Sequence, residues 1–256
     1  MMYYPILFFL SGLMIGSFLN ATEYRIAKNI PLGFNLLRGG ERSACVHCLQ
    51  VIRPYDLVPV VSFIILRGKC RDCKQSISFQ YPIVELLTAG MFVLLYSHFG
   101  PQIESVYYAV ISSFILLLFL LDLKYYIVPD SVSLPAIIIA ISISLLIGMQ
   151  PLDILIGALI GAGVYVFQYT ISKGKWVGSG DIRLGALLGA LLGWQLTLVA
   201  LLLAYVGGSI IAIGLLLTKK AEFGSQLPMG VFLLPATVVT LLWGQEILNW
   251  YLQLMI

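Results

Sequence analysis

Two aspartates in strongly apolar surroundings are the residues of this chain best suited to chemistry. Asp122 follows the run FILLLFLL, and Asp181 ends the segment Gly178-Ser179-Gly180-Asp181. An ionised carboxylate at bilayer depth costs at least ~2.5 kcal/mol on insertion scales, so an intramembrane Asp calls for a function and a partner. The evident partner for each is the other. Two carboxylates brought together hydrolyse an amide without Ser, Cys or metal: one takes a proton from water while the other gives a proton to the carbonyl oxygen. Like charges held close do not both ionise, so the titration belongs to the pair and neither acid is assigned the proton. Gly178 and Gly180 suit such a site, since glycine permits a tight turn and a close backbone approach to an extended substrate.

A second constellation is made of sulfur. Cys45-Val46-His47-Cys48 and Cys70-Arg71-Asp72-Cys73 are two C-x-x-C knuckles with 21 residues between them, and they hold all four cysteines. Four thiolates on two tight turns fit a closed tetrahedral zinc site, which supplies folding energy to a segment too small to build much of a core. The competing reading, a redox-active C-x-x-C, needs only one pair and a thioredoxin-like strand and helix pattern that is absent here. His47 is a fifth potential ligand that a four-cysteine shell does not need.

Composition fixes the elements that must carry these groups. With 60% hydrophobic and 11% charged residues, the chain reads as an all-α polytopic membrane protein, not a soluble domain. Apolar runs of spanning length fall at Tyr3 to Asn20, Pro82 to Phe99, Ser105 to Leu121, Ser131 to Met149, Leu152 to Ile171 and Pro228 to Leu252. The stretch Ile182 to Thr218 is too long for one span and reads as two helices broken near Gly193 and Trp194, giving about eight transmembrane helices. The expected organisation is a first helix in 1–20, a zinc-knuckle domain in 21–81 and a seven-helix membrane core in 82–256. The first run lacks the basic flank of a cleavable signal and is expected to be a true helix.

Eight alternating spans put the segments 21 to 80, 122 to 130, 172 to 182 and 219 to 227 on one side. All 15 Lys and Arg residues lie in or beside them. The positive-inside rule makes that side the cytoplasm, with both termini outside and the knuckles, Asp122 and Asp181 at the cytoplasmic face. Depth alone therefore lets the two acids meet.

The ordered set Gly16-Ser17-Phe18-Leu19-Asn20, the paired knuckles, Tyr81-Pro82-x-x-Glu85-Leu86, Asp122 with Pro129-Asp130, and Gly178-x-Gly180-Asp181 resembles the bacterial type IV prepilin peptidases along nearly the whole chain. The resemblance implies a membrane aspartic endopeptidase of the bacterial cytoplasmic membrane. Its substrates would be prepilins or pseudopilins of pilus, secretion or competence machines, and their short basic leader would be removed at the cytoplasmic face. It implies partners among such proteins and the lipid bilayer, with no nucleic acid. In many members the same chain also methylates the new N-terminus with S-adenosylmethionine. No Gly-x-Gly-x-x-Gly fingerprint supports that second activity; its candidates are Gly16, Ser17, Asn20, Glu23 and Arg25. Two departures from the family pattern are Val46, where a proline is common, and Pro228-Met229-Gly230-Val231 in place of a Pro-Phe-Gly-Pro-like turn.

Plainer roles compete with the functional ones. Asp181 could be a helix N-cap, and Asp130 or Ser131 could cap the span after Pro129. Asp122 ends a helix, where negative charge opposes the macrodipole, so a capping role does not explain it. Glu85 suits either a helix N-terminus or a contact to a basic leader. The stripe Gly185, Gly189 and Gly193 is expected to bring helices close, and in doing so to hold Asp181 against Asp122. His98 is expected at the membrane interface without a catalytic role. Two other function classes remain at this stage: a proton-coupled transporter using the acids as a relay, and a noncatalytic zinc-bearing scaffold of a pilus or secretion machine.

Overall fold

A computed structural model describes residues 3–30, 43–219 and 228–254. The basic stretch within 31–42 and most of the 219–227 segment of the charge map lie outside the described residues. The chain is helical, with α1 Tyr3–Ala27, α2 Val61–Ile65, α3 Gln80–Phe99, α4 Ile103–Tyr125, α5 Asp130–Leu146, α6 Pro151–Ser172, α7 Ser179–Leu217 and α8 Gly230–Leu254. Among the described residues, β pairing is confined to two isolated bridges, Ala44 with Val51 and Lys69 with Ser76, one around each knuckle. Among the described residues, six helices are long and apolar enough to cross a membrane: α1, α3, α4, α6, α7 and α8. α5 is a shorter apolar helix of 17 residues. A tally of eight spans requires both α5 and a division of α7.

That division exists in the backbone. Gly193 has φ 72 and ψ 174 inside α7, a conformation essentially reserved for glycine, and it separates arms 179–192 and 194–217. Asp153, near the start of α6, accepts from the Trp194 N–H at 3.4 Å, so the second arm begins on a carboxylate.

The chain divides into two compact units, Met1–Ser113 and Phe114–Ile256, with the boundary inside α4. In the first unit α1 continues to Ala27, seven residues beyond the expected Asn20. Hydropathy misses this extension because its polar members, Asn20, Thr22 and Glu23, are buried. α1 runs antiparallel to α3, and small residues set the closeness. A Cβ on Gly12 would lie 2.5 Å from Ala89 Cα, and one on Gly16 2.7 Å from Glu85 Cα.

In the second unit the glycine stripe of α7 finds its partner in α6. Gly185 and Gly189 meet Gly161 and Gly157 of α6 backbone to backbone; a Cβ on any of the four would overlap a carbonyl opposite. The stripe therefore packs α7 on α6, not on the helix of Asp122, and its effect on Asp181 is to hold α7 itself in place. The α6 glycines are the matching half of a small-residue interface that allows close helix approach in lipid. Gly189→Leu is expected to lower stability by about 3 kcal/mol or more. Gly163→Leu, whose Cβ would meet nothing within 4 Å, should leave it unchanged. Thermal unfolding in detergent reads both.

Candidate active site and metal-binding knuckles

Both aspartates lie in the second unit and both are buried, Asp122 at 5% exposure and Asp181 at 7%. Asp181 is not the N-cap of α7. Gly178 holds that position, and Asp181 is the third helical residue, its Oδ2 accepting from the Gly178 N–H at 2.8 Å. This is the backward-reaching half of a capping box, with the carboxylate at the positive end of its own helix.

Asp122 sits in the last turn of α4, where its own helix disfavours it, and finds a second helix instead. Its carboxyl lies over Gly230, the first residue of α8: a Cβ there would be 2.6 Å from Oδ2 and 2.8 Å from Leu184 Cδ1. The N–H groups of Gly230 and Val231 face it, although Oδ2 has no hydrogen-bond partner of regular geometry. Leu184 is one turn beyond Asp181, so the end of α4, the start of α7 and the start of α8 converge at Gly230.

The supporting residues sort by contact. A Cβ on Gly180 would be 2.7 Å from Val128 Cβ in the α4–α5 loop, so Gly180 permits a close approach to that loop. Gly178, extended at φ -81 and ψ 161 and with only ordinary contacts, is not forced to be glycine by space. Pro129 is the N-cap residue of α5. Asp130 is the first helical residue and makes no cap; its carboxylate pairs with Arg183. Ser131 does not cap α5 either, since the helix has no side-chain cap. Arg183 also donates to Val128 O at 2.8 Å.

The first unit gathers Gly16, Asn20 and Glu23 on the α1 face that meets α3. Asn20 donates to Tyr81 O at 3.2 Å and Gly16 O at 3.3 Å. Gln80 donates to both Asn20 Oδ1 at 3.2 Å and Glu23 Oε2 at 3.0 Å. Gly16 and Asn20 thus have a packing role. Glu85 is beyond the first turn of α3 and buried, and accepts from Val60 N at 2.7 Å, with Ser17 also hydrogen-bonded to it. Its carboxylate thus joins α3 to the backbone of the knuckle domain. Arg25 is half-buried near the end of α1.

The knuckles match each other. Cys45 N donates to Gln50 O and Leu49 N to Cys45 O; Cys70 N donates to Gln75 O and Lys74 N to Cys70 O. Leu49 and Lys74 both have positive φ, 60 and 62. The four Sγ atoms lie within 4.8 Å of one another, with Cys45 and Cys73 at 3.8 Å. A tetrahedron with Zn–S of about 2.3 Å has S···S edges near 3.8 Å, so the donor set fits a metal ion. Arg71 joins the second knuckle to the turn Pro54–Leu57 by a bidentate pair with Asp56, at 2.7 and 2.8 Å, and lies over the Tyr55 ring at 5.3 Å.

Sequence reasoning missed Arg183, Val128, Gln80, Val60 and the α6 glycines. Only Gly157-x-x-x-Gly161 carried a readable spacing; the others acquire their roles through contacts distant in sequence.

Apolar helices with two buried carboxylates at converging helix ends define the class of membrane proteins that could run acid–base chemistry on a shared proton. Comparison makes the assignment specific: residues 10–99 match the bacterial peptidase A24 N-terminal domain and residues 109–213 the type IV leader peptidase family. The chain is 34% identical to the prepilin leader peptidase/N-methyltransferase of Aeromonas salmonicida over 96% of this chain and 93% of that protein. Proteins of the same name from Pseudomonas aeruginosa, at 33% identity over 95% and 92%, and Bacillus subtilis, at 29% over 96% and 97%, are also similar. The chain belongs to the type IV leader peptidase family. No solved structure matches it.

Two outcomes follow from the geometry. Gly230→Ala should cost about 1–3 kcal/mol, and less in an Asp122→Ala background, where the group it meets is gone; a double-mutant cycle on thermal stability measures this. The Arg71 guanidinium holds the Asp56 carboxyl below the ordinary carboxylate range. Its folded pKa being depressed, the pair's contribution is complete above the unfolded value of roughly 4 and is lost as pH falls through the lower folded value. Acid titration of stability should show that loss in the parent and not in Asp56→Asn.

Proposed function

We propose that the chain is a membrane aspartic endopeptidase that removes the leader of prepilins or pseudopilins. Asp122 and Asp181 act as its pair, and the same chain then methylates the new N-terminus. The observation that carries the first part is the burial of two carboxylates at converging helix ends with helix N-termini beside them. Helix dipoles support one charge and leave the second acid free to retain a proton. The ionised member takes a proton from water as its oxygen attacks the scissile carbonyl. The protonated member gives its proton to the carbonyl oxygen, and the amine leaves with a proton returned from the pair. Gly178, Gly180, Pro129 and Asp130 support the site by shaping the approach to Asp181.

Cys45, Cys48, Cys70 and Cys73 would hold a structural zinc ion, which supplies folding energy and takes no part in cleavage. The methylation half draws its support from the names of the similar proteins. S-adenosylmethionine supplies an electrophilic methyl group. The region around Gly16, Ser17, Asn20, Glu23 and Arg25 offers amide and carboxylate acceptors near Glu85 that suit an α-amino group. The sidedness follows the Lys and Arg distribution: both termini outside, knuckles and aspartates cytoplasmic, in a bacterial inner membrane. Family membership favours neither transport nor a scaffold.

Incubation of the detergent-purified protein with a prepilin tests the peptidase reading. Cleavage is expected from the parent and a loss of about 10³-fold or more from Asp122→Asn and from Asp181→Asn; cleavage persisting in both variants refutes the pair. Addition of S-adenosylmethionine should add one methyl mass to the product. Metal analysis should find zinc in the parent and its loss in Cys70→Ser.

A further inference from the structure

The α4–α5 loop carries neither aspartate, yet it connects the helix of Asp122 to the surface on which Asp181 is mounted. Three residues separate α4 from the N-cap of α5: Tyr126, at φ 57, Ile127 and Val128. Tyr126 N still bonds to Asp122 O. Val128 then packs on the space left by the missing side chain of Gly180, the neighbour of Asp181. One side chain fastens this contact. Arg183, two residues beyond Asp181, donates to Val128 O at 2.8 Å and pairs through its other terminal nitrogen with Asp130.

We propose that Arg183 is a positioning residue that clamps the Val128 carbonyl to the first turns of α7 and so fixes the spacing between Asp122 and Asp181. This rests on the reading of those aspartates as the peptidase pair. The two bonds of Arg183 are unequal. Asp130 is 65% exposed, and an ion pair in that setting is screened and contributes little. The main-chain acceptor is the one that locks the loop, and the aspartate orients the guanidinium toward it. The planar fork matters, because two nitrogens at fixed separation serve Asp130 and Val128 together; a lysine ammonium is a single point charge on a flexible stem. The fork leaves Arg183 Nε buried without a partner, a cost accepted where the outer nitrogens are both committed. Misplacing a reacting group by about 1 Å costs on the order of 100-fold in rate, so a loosened loop is expected to appear in kcat and not in substrate affinity.

The test combines cleavage kinetics with hydrogen exchange of the loop amides in the full-length protein. Arg183→Gln should lower kcat about 100-fold with KM little changed, and should speed exchange at Tyr126, Ile127 and Val128. Arg183→Lys should recover part of kcat. Asp130→Asn, which removes only the group that orients the guanidinium, should change both readouts less than Arg183→Gln does. Parent-like kcat and exchange in Arg183→Gln overturn the proposal. So does a fall in kcat with unchanged loop exchange, or an Asp130→Asn loss as large as that of Arg183→Gln. If Arg183→Gln does not fold, Arg183→Lys supports the same comparison, since it keeps the charge and loses the fork. A parent that fails to cleave prepilin refutes the peptidase reading, while the exchange comparison still decides whether Arg183 clamps the loop.

Discussion

Burying two carboxylates among apolar helices is the constraint from which the second unit is built. Each is placed at a helix N-terminus, Asp181 at its own and Asp122 at that of α8. A dipole end stabilises a charge by less than a paired cation would, typically by up to ~1 kcal/mol. The solution therefore holds the acids in place without quenching them. It also dictates where side chains are absent: Gly230 leaves room for the Asp122 carboxyl and Gly180 leaves room for the loop that follows it. The helices bearing these groups need fixed positions, and the backbone contact of Gly157 and Gly161 with Gly185 and Gly189 provides one for α7.

The first unit solves a different problem with similar means. A small domain with two cysteine-bearing turns must be joined to a pair of membrane helices, and buried polar groups make the joint. Glu85 reaches from α3 to the backbone of Val60, and Gln80 ties Asn20 to Glu23 across α1 and α3. Buried polar networks are costly when incomplete and specific when complete. This one determines how α1 meets α3 and where the knuckle domain attaches.

The sequence made some of this plain and concealed the rest for definable reasons. Asp122, Asp181, the four cysteines and the break at Gly193 were legible because each is an anomaly in its immediate surroundings: a charge among apolar residues, a paired thiol spacing, a glycine in an overlong apolar run. The end of α1 was not, since Asn20, Thr22 and Glu23 look like a loop to any measure that ignores what they pack against. The stripe of α7 was visible and its partner was not, because a small-residue face states that a helix is near without stating which. Asp130 was legible as a helix-start residue, but its pairing with Arg183 depends on two segments more than 50 residues apart. Gly230 stood in a recognised turn, and only the fold shows that the turn lies under Asp122.

Leu49, Val60, Arg67 and Lys74 all have positive φ in the knuckle domain, and none is glycine. Each is held in a state costing of order 1–3 kcal/mol, a sum that a segment with so little apolar core does not recover through burial. The domain is therefore shaped by its fastenings: the cysteine cluster around Leu49 and Lys74, and the Glu85 carboxylate at Val60. In mechanical terms it is a tensioned structure, and release of one fastening passes load to the others.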